Sequence, residues 1–226
     1  MKIGILAAMQ VEMNLILDEI IDVEEINQAG STYYTGYIGN NEVVLVKSGI
    51  GKVNAAISTT ILIKEFGCNL IINTGIAGGT KPLKHRDCIV AKSLQYHDFD
   101  LRFFGYPYGQ VPEMPKEFIP SINSLLLIKS TLNKLNIPFK ECNVYSGDQF
   151  ITSYDQIKNV ENEGIVTEME GASVAHTCVK LGSDFIVLRY ISDIIGENSQ
   201  EEYQKFEEDM ANQSANITIK LLNNIG

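Results

Sequence analysis

The stretch Thr167-Glu-Met-Glu-Gly-Ala-Ser-Val-Ala175, followed by Phe185-Ile-Val-Leu-Arg-Tyr-Ile-Ser-Asp193, places charged residues inside segments that are otherwise apolar. The four charged residues are Glu168, Glu170, Arg189 and Asp193. A charged group inside a core is costly unless it is paired or acts on a ligand. Each of the four leads into or ends a predicted helix or strand, so the pattern predicts a functional site.

Outward from this stretch, apolar and amphipathic runs alternate along the whole chain. Runs rich in Val, Ile and Tyr predict strands at Lys2–Ala8, Thr32–Ile38, Glu42–Ser48, Asn69–Thr74, Asp87–Tyr96, Glu141–Ser146, Gly164–Thr167 and Ser183–Ser192. Helical periodicity predicts helices at Gln10–Ile21, Val53–Phe66, Ile119–Leu135, Glu170–Leu181 and Ser199–Leu222. We therefore predict one α/β domain over residues 1–226, with a largely parallel or mixed central sheet covered by helices.

Composition and charge restrict the partners. The 226 residues carry a net charge of −10 with an isoelectric point near 4.8, and such a surface repels the phosphate backbone of nucleic acids. No window reaches the ~20 apolar residues of a membrane helix, and the N-terminal apolar run is too short for a signal peptide. We predict a cytoplasmic protein that binds neither nucleic acid nor membrane.

Cysteine and histidine do not indicate a metal or redox site. The four cysteines are far apart, lie in or beside apolar runs and are expected to be free, buried thiols. The three histidines show no ligand spacing with one another. The neighbours His97 and Asp98 are more typical of a hydrogen-bonded loop than of half a metal site.

Glu12 lies in the first turns of the helix Gln10–Ile21, at the border of its apolar face. Partial burial there raises the pKa of a carboxyl, whereas the helix N-terminus lowers it. An ordinary first-turn glutamate, favoured by the helix dipole, is the alternative to a functional one.

Arg189 and Asp193 are four residues apart on a predicted strand, which places both on one face about 13 Å apart. That spacing is comparable to the span of a nucleoside, and ligands of open α/β sheets sit beyond the carboxyl ends of strands. A buried structural Arg–Asp network is the alternative.

Glu170 begins a helix and points toward the strand ends, where a carboxylate suits a ribose diol. For Glu168 a structural partnership with an arginine or backbone N–H groups is favoured.

Two glycine-rich runs are not nucleotide-binding motifs. Ser48-Gly-Ile-Gly-Lys52 lacks the first glycine and the final Ser/Thr of a P-loop, and Gly75-Ile-Ala-Gly-Gly79 lacks the dinucleotide spacing. The second run can still bring backbone close to a ligand.

The chain has only three arginines, and guanidinium groups generally surround a phosphate nucleophile. Their scarcity indicates that any nucleophile is water.

With these residues identified, the chain resembles the 5′-methylthioadenosine/S-adenosylhomocysteine nucleosidases of the nucleoside phosphorylase superfamily over nearly its full length. The resemblance rests on short motifs in the order of the family: Lys2–Met9 with Glu12, Ser48–Ala56, Ile72–Gly75 with Ala77–Gly79, Phe104–Tyr106 with Tyr108–Gln110, Ser146–Asp148 with Phe150, Glu168–Gly171, and Arg189 with Ile191–Asp193. It implies a three-layer α/β/α sandwich with a twisted mixed sheet. It also implies hydrolysis of the N-glycosidic bond of both nucleosides, with 5′-deoxyadenosine as a further candidate, in methionine salvage and the activated methyl cycle.

The resemblance implies roles for individual residues. Glu12 is expected to activate water as the base and Asp193 to protonate adenine N7 as the acid. The implied substrate-binding residues are Met9, Ile50, Gly78, Phe150, Ile151, Glu168, Met169, Glu170, Arg189, Ser192 and Tyr203. In these roles Phe150 stacks on the base, Met169 and Glu170 hold the ribose, and Arg189 positions Glu12 or the water.

The resemblance also implies a homodimer, in which the partner subunit adds Leu101, Phe104 and Pro112 to the pocket from the aromatic loop His97–Phe118. A long loop with clustered aromatic residues is in itself typical of an interface. No metal or organic cofactor is required for the reaction.

The chain departs from the family pattern at a few positions. Many relatives have a serine at position 76, whose hydroxyl can bond the catalytic acid, and Ile76 cannot do this. Gln10, Tyr203 and the pair Ile194–Ile195 differ as well, so the substrate preference stays open. Three other functions are alternatives: a purine nucleoside phosphorylase, a 6-amino-6-deoxyfutalosine hydrolase with a different 5′ pocket, and a nucleoside-binding protein without catalysis.

Overall fold

The structure, a computed structural model, describes residues 1–160, 164–196 and 199–225. The strands are β1 (Lys2–Ala7), β2 (Ile21–Gln28), β3 (Ser31–Ile38), β4 (Asn41–Lys47), β5 (Leu70–Gly79), β6 (Cys88–Tyr96), β7 (Lys140–Ser146), β8 (Val166–Glu168) and β9 (Asp184–Ile194). The helices are α1 (Gln10–Glu19), α2 (Lys52–Lys64), α3 (Ile122–Lys134), α4 (Gly171–Leu181) and α5 (Ser199–Leu222). All predicted helices and strands are present, with ends that shift by a few residues.

Within the described residues all nine strands join one sheet, in the order β2-β3-β4-β1-β5-β8-β7-β6-β9. The strand β1 pairs in parallel with β4 and β5, and β5 pairs in parallel with β9. The pairs β2–β3, β3–β4, β5–β8 and β6–β9 are antiparallel. The predicted mixed sheet is therefore confirmed. Because β5 contacts both β8 and β9, the strands from β5 to β9 close into a ring.

Helices cover both faces of the sheet. On one face α2 and α4 contribute Leu62 and Val174 to a buried apolar cluster. On the other face α1, α3 and α5 contribute Ile16, Leu132 and Leu221 to a second cluster. The order helix–sheet–helix confirms the three-layer sandwich.

The strand β2 is the element that the sequence pattern does not predict. The helix expected to end at Ile21 ends at Glu19, and the chain continues directly into β2. This strand pairs with β3, and seven of its eight residues are exposed. Its alternation of apolar and polar residues is broken at Glu24–Glu25, so the pattern is too short to predict the whole strand.

The strand β5 runs beyond its predicted end at Thr74, through the glycines to Gly79. It stays paired with β9, from Leu70 opposite Asp184 to Gly79 opposite Ile194. Gly75 has no room for a side chain, because a Cβ atom there would overlap the carboxylate of Glu12. The glycine-rich end of β5 therefore brings backbone close to the functional residues.

The length of the apolar helices and the state of the cysteines are two further features that the sequence addresses. No helix in residues 1–160, 164–196 and 199–225 is long and apolar enough to cross a membrane. All four cysteines, each in a described part of the chain, are free thiols, as predicted, but only three are buried, and Cys142 is partly exposed. Burial raises the pKa of the Cys68 and Cys88 thiols to about 12, so both stay neutral at ordinary pH.

A side-chain amide ties the C-terminal end of α5 to the sheet. Asn41 is buried at the start of β4, and its Nδ2 donates to the carbonyl oxygens of Leu222 at 2.8 Å and Ile225 at 2.5 Å. The last carbonyls of a helix have no partner within the helix. Asn41 supplies that partner from a distant part of the sequence.

We expect Asn41→Ala to lower the free energy of unfolding by about 1–3 kcal/mol, because two buried carbonyls lose their donor. Urea denaturation followed by circular dichroism measures this loss. The exposed neighbour Asn40 is the control, and Asn40→Ala is expected to change stability by less than about 0.5 kcal/mol. Equal losses in the two variants would contradict a role for this tether.

Candidate active site

A cavity of about 730 Å³ opens where the carboxyl ends of β1, β5 and β9 meet the starts of α1 and α5. Its walls are formed by Ala8, Met9, Glu12, Ile50, Ile76, Ala77, Gly78, Phe150, Thr167, Glu168, Met169, Glu170, Ser192, Asp193, Gln200, Tyr203, Gln204 and Glu207. A side pocket of about 30 Å³ adds Gln149 and Ile151 beside Phe150. Ligands of α/β sheets bind at such a meeting of strand ends.

Glu12 is buried in the first turn of α1, deeper than its predicted position at the border of the apolar face. Its Oε2 accepts from the N–H groups of Ala8 and Met9, and its Oε1 from that of Ile76, each at 3.0 Å. Burial raises the pKa of Glu12, while the charge of Arg189 and the three N–H groups act in the opposite direction. A carboxylate accepts at about four sites. The three donors therefore suit the ionised form and leave one site for a water molecule.

Arg189 lies beneath the cavity rather than in its wall. Its Nη2 is 2.5 Å from Glu168 Oε2, and both side chains are 2% exposed. Its other hydrogen bonds go to the carbonyl and the side-chain oxygen of Asn73 and to the carbonyl of Leu188. The guanidinium Nε has no hydrogen-bond partner among the described residues. Arg189 thus acts on Glu12 through its charge, and no hydrogen bond joins the two side chains in the described structure.

Four donors occupy the carboxylate of Glu168. Besides Arg189, the hydroxyl of Ser146 donates to Oε1, and the N–H groups of Glu170 and Gly171 donate to Oε2 at 3.0 and 2.7 Å. Burial alone would raise the pKa of Glu168, but Arg189 and these donors hold it below its usual value. This geometry matches the structural partnership that the sequence favours for Glu168.

Glu170 caps the start of α4, as its predicted place at the beginning of a helix requires. Its Oε1 accepts from the N–H of Gly51, at the start of α2, at 2.8 Å. Burial, together with the neighbouring charge of Glu168, raises the pKa of Glu170 to about 8. A carboxyl group in this range can either accept from hydroxyls or donate to them.

Asp193 follows a β-bulge at the end of β9. Ile191 pairs with Ala77 but Asp193 pairs with Gly78, so Ser192 is skipped in the register. Paired residues point to the same face and successive residues to opposite faces. The bulge therefore turns Asp193 away from the face of Ile191 and Arg189. The expectation that Arg189 and Asp193 share a face is wrong for this reason.

One carboxyl oxygen of Asp193 is free to meet a ligand. Its Oδ1 accepts from the hydroxyl of Ser192 at 2.8 Å, and its Oδ2 has no partner in the parts of the chain that the structure describes. Burial raises the pKa of Asp193 to about 6. Ile76 lines the same cavity, and its apolar side chain offers no hydroxyl to this carboxyl, as the sequence predicts. A neutral Asp193 can therefore donate a proton from Oδ2 to a bound molecule.

The apolar part of the cavity is built from aromatic and sulfur-containing side chains. Phe150 and Tyr203 meet edge to face with centroids 5.3 Å apart. The hydroxyl of Tyr203 lies 3.4 Å from Met9 Sδ and 3.1 Å from Glu207 Oε1. Phe150 and Tyr203 thus form an aromatic slot in the wall beside Met9, which suits an aromatic base and an apolar substituent.

The structure brings most of the predicted site residues together. Twelve of the thirteen residues assigned to this subunit line the cavity or its side pocket, and Arg189 is the exception. The three residues assigned to a partner subunit, Leu101, Phe104 and Pro112, lie outside the wall of the cavity. Their contribution from a second chain stays a prediction.

Sequence reasoning did not single out several residues that serve the site. Asn73 holds Arg189, Ser146 holds Glu168, and Gln200 and Gln204 line the cavity. Asn73 is a fully buried polar residue in the largely apolar strand β5, whereas Ser146 ends β7, whose other residues include Lys140, Glu141 and Asn143. The contrast that singles out Glu168 and Arg189 could therefore have identified Asn73, but not Ser146.

The described part of the chain holds another cavity, which differs from this one in its charges. Within the described ranges no three His, Cys, Asp or Glu residues could hold a metal ion together. That other cavity, of about 510 Å³, lies by Arg102, Tyr108 and Lys158 and has one carboxylate, Glu117, in its wall. The arrangement of Glu12, Glu170 and Asp193 therefore marks the first cavity as the candidate active site.

Comparison with known proteins agrees with the fold. The family model of the phosphorylase superfamily matches residues 2–223. A 5′-methylthioadenosine/S-adenosylhomocysteine nucleosidase of Staphylococcus haemolyticus is 40% identical over 224 residues, which cover 97% of this chain and 98% of the relative.

Two solved structures are similar over almost their full length. S-adenosylhomocysteine nucleosidase of Streptococcus pyogenes, in complex with 5-methylthiotubericidin, has a TM-score of 0.94 at 34% identity and covers 100% of this chain and 98% of its own. Futalosine hydrolase of Helicobacter pylori has a TM-score of 0.93 at 36% identity, with 99% and 98% covered.

We expect Arg189→Met to lower the free energy of unfolding by about 3–5 kcal/mol, because it leaves the Glu168 carboxylate buried without its cation. The double variant Arg189→Met/Glu168→Gln is expected to regain part of this loss, since the glutamine carries no charge. Urea denaturation of the two single variants and the double variant gives the coupling energy. A coupling energy near zero would show that the ion pair does not stabilise the site.

Proposed function

The chain belongs to the phosphorylase superfamily, and from that premise we propose that its cavity is the active site of an adenine nucleosidase. The enzyme is an N-glycosyl hydrolase. It cleaves the N-glycosidic bond of 5′-methylthioadenosine and S-adenosylhomocysteine and releases adenine and the 5′-substituted ribose. 5′-Deoxyadenosine, which has the same adenine and ribose, is a further proposed substrate.

The difference between two carboxyl groups in one cavity carries the proposal. Burial raises the pKa of both groups, but Glu12 receives three N–H donors, which suit an ionised base, while Asp193, with a pKa of about 6, has a free Oδ2. Cleavage of the bond builds positive charge on the sugar and negative charge on adenine. Asp193 gives a proton to N7 of the leaving base, and Glu12 takes a proton from the attacking water. One cavity thus holds an acid and a base in different protonation states.

The other wall residues suit the three parts of the substrate. Glu170, with Met169 beside it, is assigned to the ribose hydroxyls, and its raised pKa lets it donate as well as accept. The adenine is assigned to the slot and the side pocket formed by Phe150, Ile151, Gly78 and Ser192. The 5′-substituent is assigned to the end formed by Met9, Ile50 and Tyr203.

Charge favours hydrolysis over phosphorolysis. The cavity wall contains no lysine or arginine in the described part of the chain. The three arginines are each paired with a carboxylate, Arg86 with Asp209, Arg102 with Asp100 and Arg189 with Glu168. A phosphate nucleophile would therefore enter a cavity of carboxylates with no cation in contact. Water carries no such charge.

A 6-amino-6-deoxyfutalosine hydrolase is the second candidate, because a futalosine hydrolase is among the similar structures. The two amides of Gln200 and Gln204 lie in the same wall as Tyr203 and can bind a larger polar 5′-substituent. The two functions share the adenine and ribose contacts and differ at this end of the cavity. Comparing kcat/KM for the two substrates distinguishes them.

We further propose that the enzyme works in the cytoplasm, in methionine salvage and the activated methyl cycle, without a metal or organic cofactor. Four free thiols suit a reducing compartment. Both proposed substrates are by-products of reactions that use S-adenosylmethionine, so their removal belongs to those two routes.

A homodimer is proposed from exposed apolar side chains. In the loop His97–Phe118, Phe103 is 92% and Phe104 is 70% exposed. Val53 on α2 is 70% exposed, and its neighbour Lys52 pairs with Asp98 at the start of that loop. Large exposed aromatic groups are typical of interfaces. A second copy would bury this surface and bring Leu101, Phe104 and Pro112 to the partner's cavity.

We expect adenine release from 5′-methylthioadenosine in phosphate-free buffer, unchanged when phosphate is added. Glu12→Gln and Asp193→Asn are each expected to lower kcat by at least ~100-fold, because each removes a proton-transfer group. Adenine and the sugar product are measured by chromatography.

The exposed Glu19 on the same helix as Glu12 is the control, and Glu19→Gln is expected to keep full activity. Unfolding curves of the variants exclude loss of structure. Formation of a sugar 1-phosphate would identify a phosphorylase, and full activity of both site variants would refute the assignment of acid and base.

For the dimer, we expect Phe104→Asp to shift sedimentation from dimer to monomer and to raise KM more than it lowers kcat, since the partner would no longer complete the pocket. Ile122, which is 73% exposed on α3 on the opposite side of the sheet, is the control. Ile122→Asp is expected to change neither property. A wild-type monomer with full activity would refute the proposed assembly.

A further inference from the structure

His85 lies outside the cavity, in the segment that joins β5 to β6, and its ring contacts the backbone next to the proposed acid. The Nδ1 atom is 3.0 Å from the carbonyl oxygen of Ser192. The Nε2 atom is 3.2 Å from Oε1 of Glu202 on α5. One face of the ring packs against Phe206 with centroids 4.9 Å apart. The imidazole is thus held by β9 and α5 together.

Glu202 contacts the other side of the same residue. Its Oε2 accepts from the N–H of Ile194 at 3.1 Å. His85 binds the carbonyl of the residue before Asp193, and Glu202 binds the N–H of the residue after it. The two side chains, themselves joined, therefore fix the peptide groups on both sides of the acid.

Both nitrogen atoms of His85 face oxygen atoms that only accept. A carbonyl and a carboxylate have no proton to give, so a neutral ring satisfies one of them and a doubly protonated ring satisfies both. The His85 and Glu202 side chains are 28% and 25% exposed. The contacts therefore place each ring nitrogen against an acceptor oxygen close to the surface.

The backbone around the acid is irregular. The skipped residue Ser192 interrupts the pairing of β5 and β9 just before Asp193. The Oδ2 atom of Asp193, which would carry the proton, has no hydrogen bond of its own in the described residues. Its direction therefore depends on the backbone from Ser192 to Ile194.

We propose that His85 and Glu202 form a positioning clamp for Asp193, which aims its free carboxyl oxygen into the cavity and adjusts its electrostatic environment. This inference rests on the proposed function, in which Asp193 is the acid. His85 and Glu202 do not touch the substrate, and they act through the backbone and the charge of Asp193.

The charges of the clamp act on Asp193 in opposite directions. Burial is the largest cause that raises the pKa of Asp193 to about 6, and the Ser192 hydroxyl lowers it. The Glu202 carboxylate raises this pKa further, whereas His85 lowers it. From the cavity side, the titratable groups in the same wall are Glu12 on α1, Glu168 on β8, Glu170 at the start of α4, and Tyr203 and Glu207 on α5. These groups remain in place when the clamp is changed.

The sign of each effect follows from the role of the acid. Activity requires protonated Asp193, so kcat/KM falls as pH rises through the pKa of Asp193. Removing the charge of Glu202 lowers this pKa and moves the alkaline limb to lower pH. Removing His85 leaves the Glu202 charge without its cation, which raises the pKa of Asp193 and moves the limb to higher pH.

The test compares Glu202→Gln and His85→Ala with the wild-type enzyme on 5′-methylthioadenosine from pH 5 to 9. Glu202→Gln keeps an oxygen that can accept from Ile194 and removes only the charge. We expect the alkaline midpoint to fall by roughly half a pH unit in Glu202→Gln and to rise by a similar amount in His85→Ala. We also expect His85→Ala to lower kcat about 10-fold at its optimum, with KM within about twofold, because the acid is less well placed.

The neighbouring ion pair supplies a matched control. Arg86 and Asp209 are 2.6 Å apart and join the same segment to α5. Arg86→Ala removes this tether and is expected to leave the alkaline midpoint and kcat unchanged. If His85→Ala does not fold, the shift in Glu202→Gln decides.

A titration that needs no turnover separates this inference from the proposed function. The carboxyl carbon of Asp193, identified by its loss in Asp193→Asn, is followed by NMR in both clamp variants. Shifts of its midpoint in opposite directions support the clamp even if the wild-type enzyme releases no adenine. Shifts in the same direction, or no shift beyond that of Arg86→Ala, would overturn the inference.

Discussion

The buried ion pair between Arg189 and Glu168 is the interaction on which the rest of the site depends. It joins β9 to the end of β8 at 2.5 Å, and its two side chains are almost inaccessible to water. The same Glu168 oxygen accepts the first N–H groups of α4, so the pair also fixes where Glu170 begins that helix. Through Asn73, Arg189 holds β5 as well. The contacts of one guanidinium therefore set the relative positions of three strands and a helix start.

A single guanidinium also allows several carboxyl groups to share one cavity. Arg189 lowers the pKa of Glu12 and Glu170 against the effect of burial, without a hydrogen bond to either in the described residues. Each carboxyl then differs in its nearest donors. Glu12 has three N–H groups, Glu170 has one, and Asp193 has one hydroxyl. Because each donor favours the charged form, Glu12 with its three donors is the carboxyl group best suited to stay ionised.

The sequence predicts those parts of the structure that depend on local pattern. Apolar runs predict eight of the nine strands, and charged residues in apolar segments point to Glu168 and Arg189. The strand β2 is missed because it forms by pairing with β3 and does not bury an apolar face of its own. The bulge at Ser192 and the pairing of His85 with Glu202 are missed as well, since they arise from contacts between distant segments that no local pattern records.

The bulge explains how the acid can serve the cavity while its strand stays in the core. Ile191 and Ile194 both pack into the same apolar cluster, although three residues of a regular strand would place them on opposite faces. The extra residue at Ser192 restores both to the core and turns Asp193 to the cavity. Gly78, opposite Asp193, leaves the space that this turn requires, because a Cβ atom there would lie 3.1 Å from the Asp193 carboxyl oxygen. An irregular strand end and a missing side chain together direct the acid into the cavity.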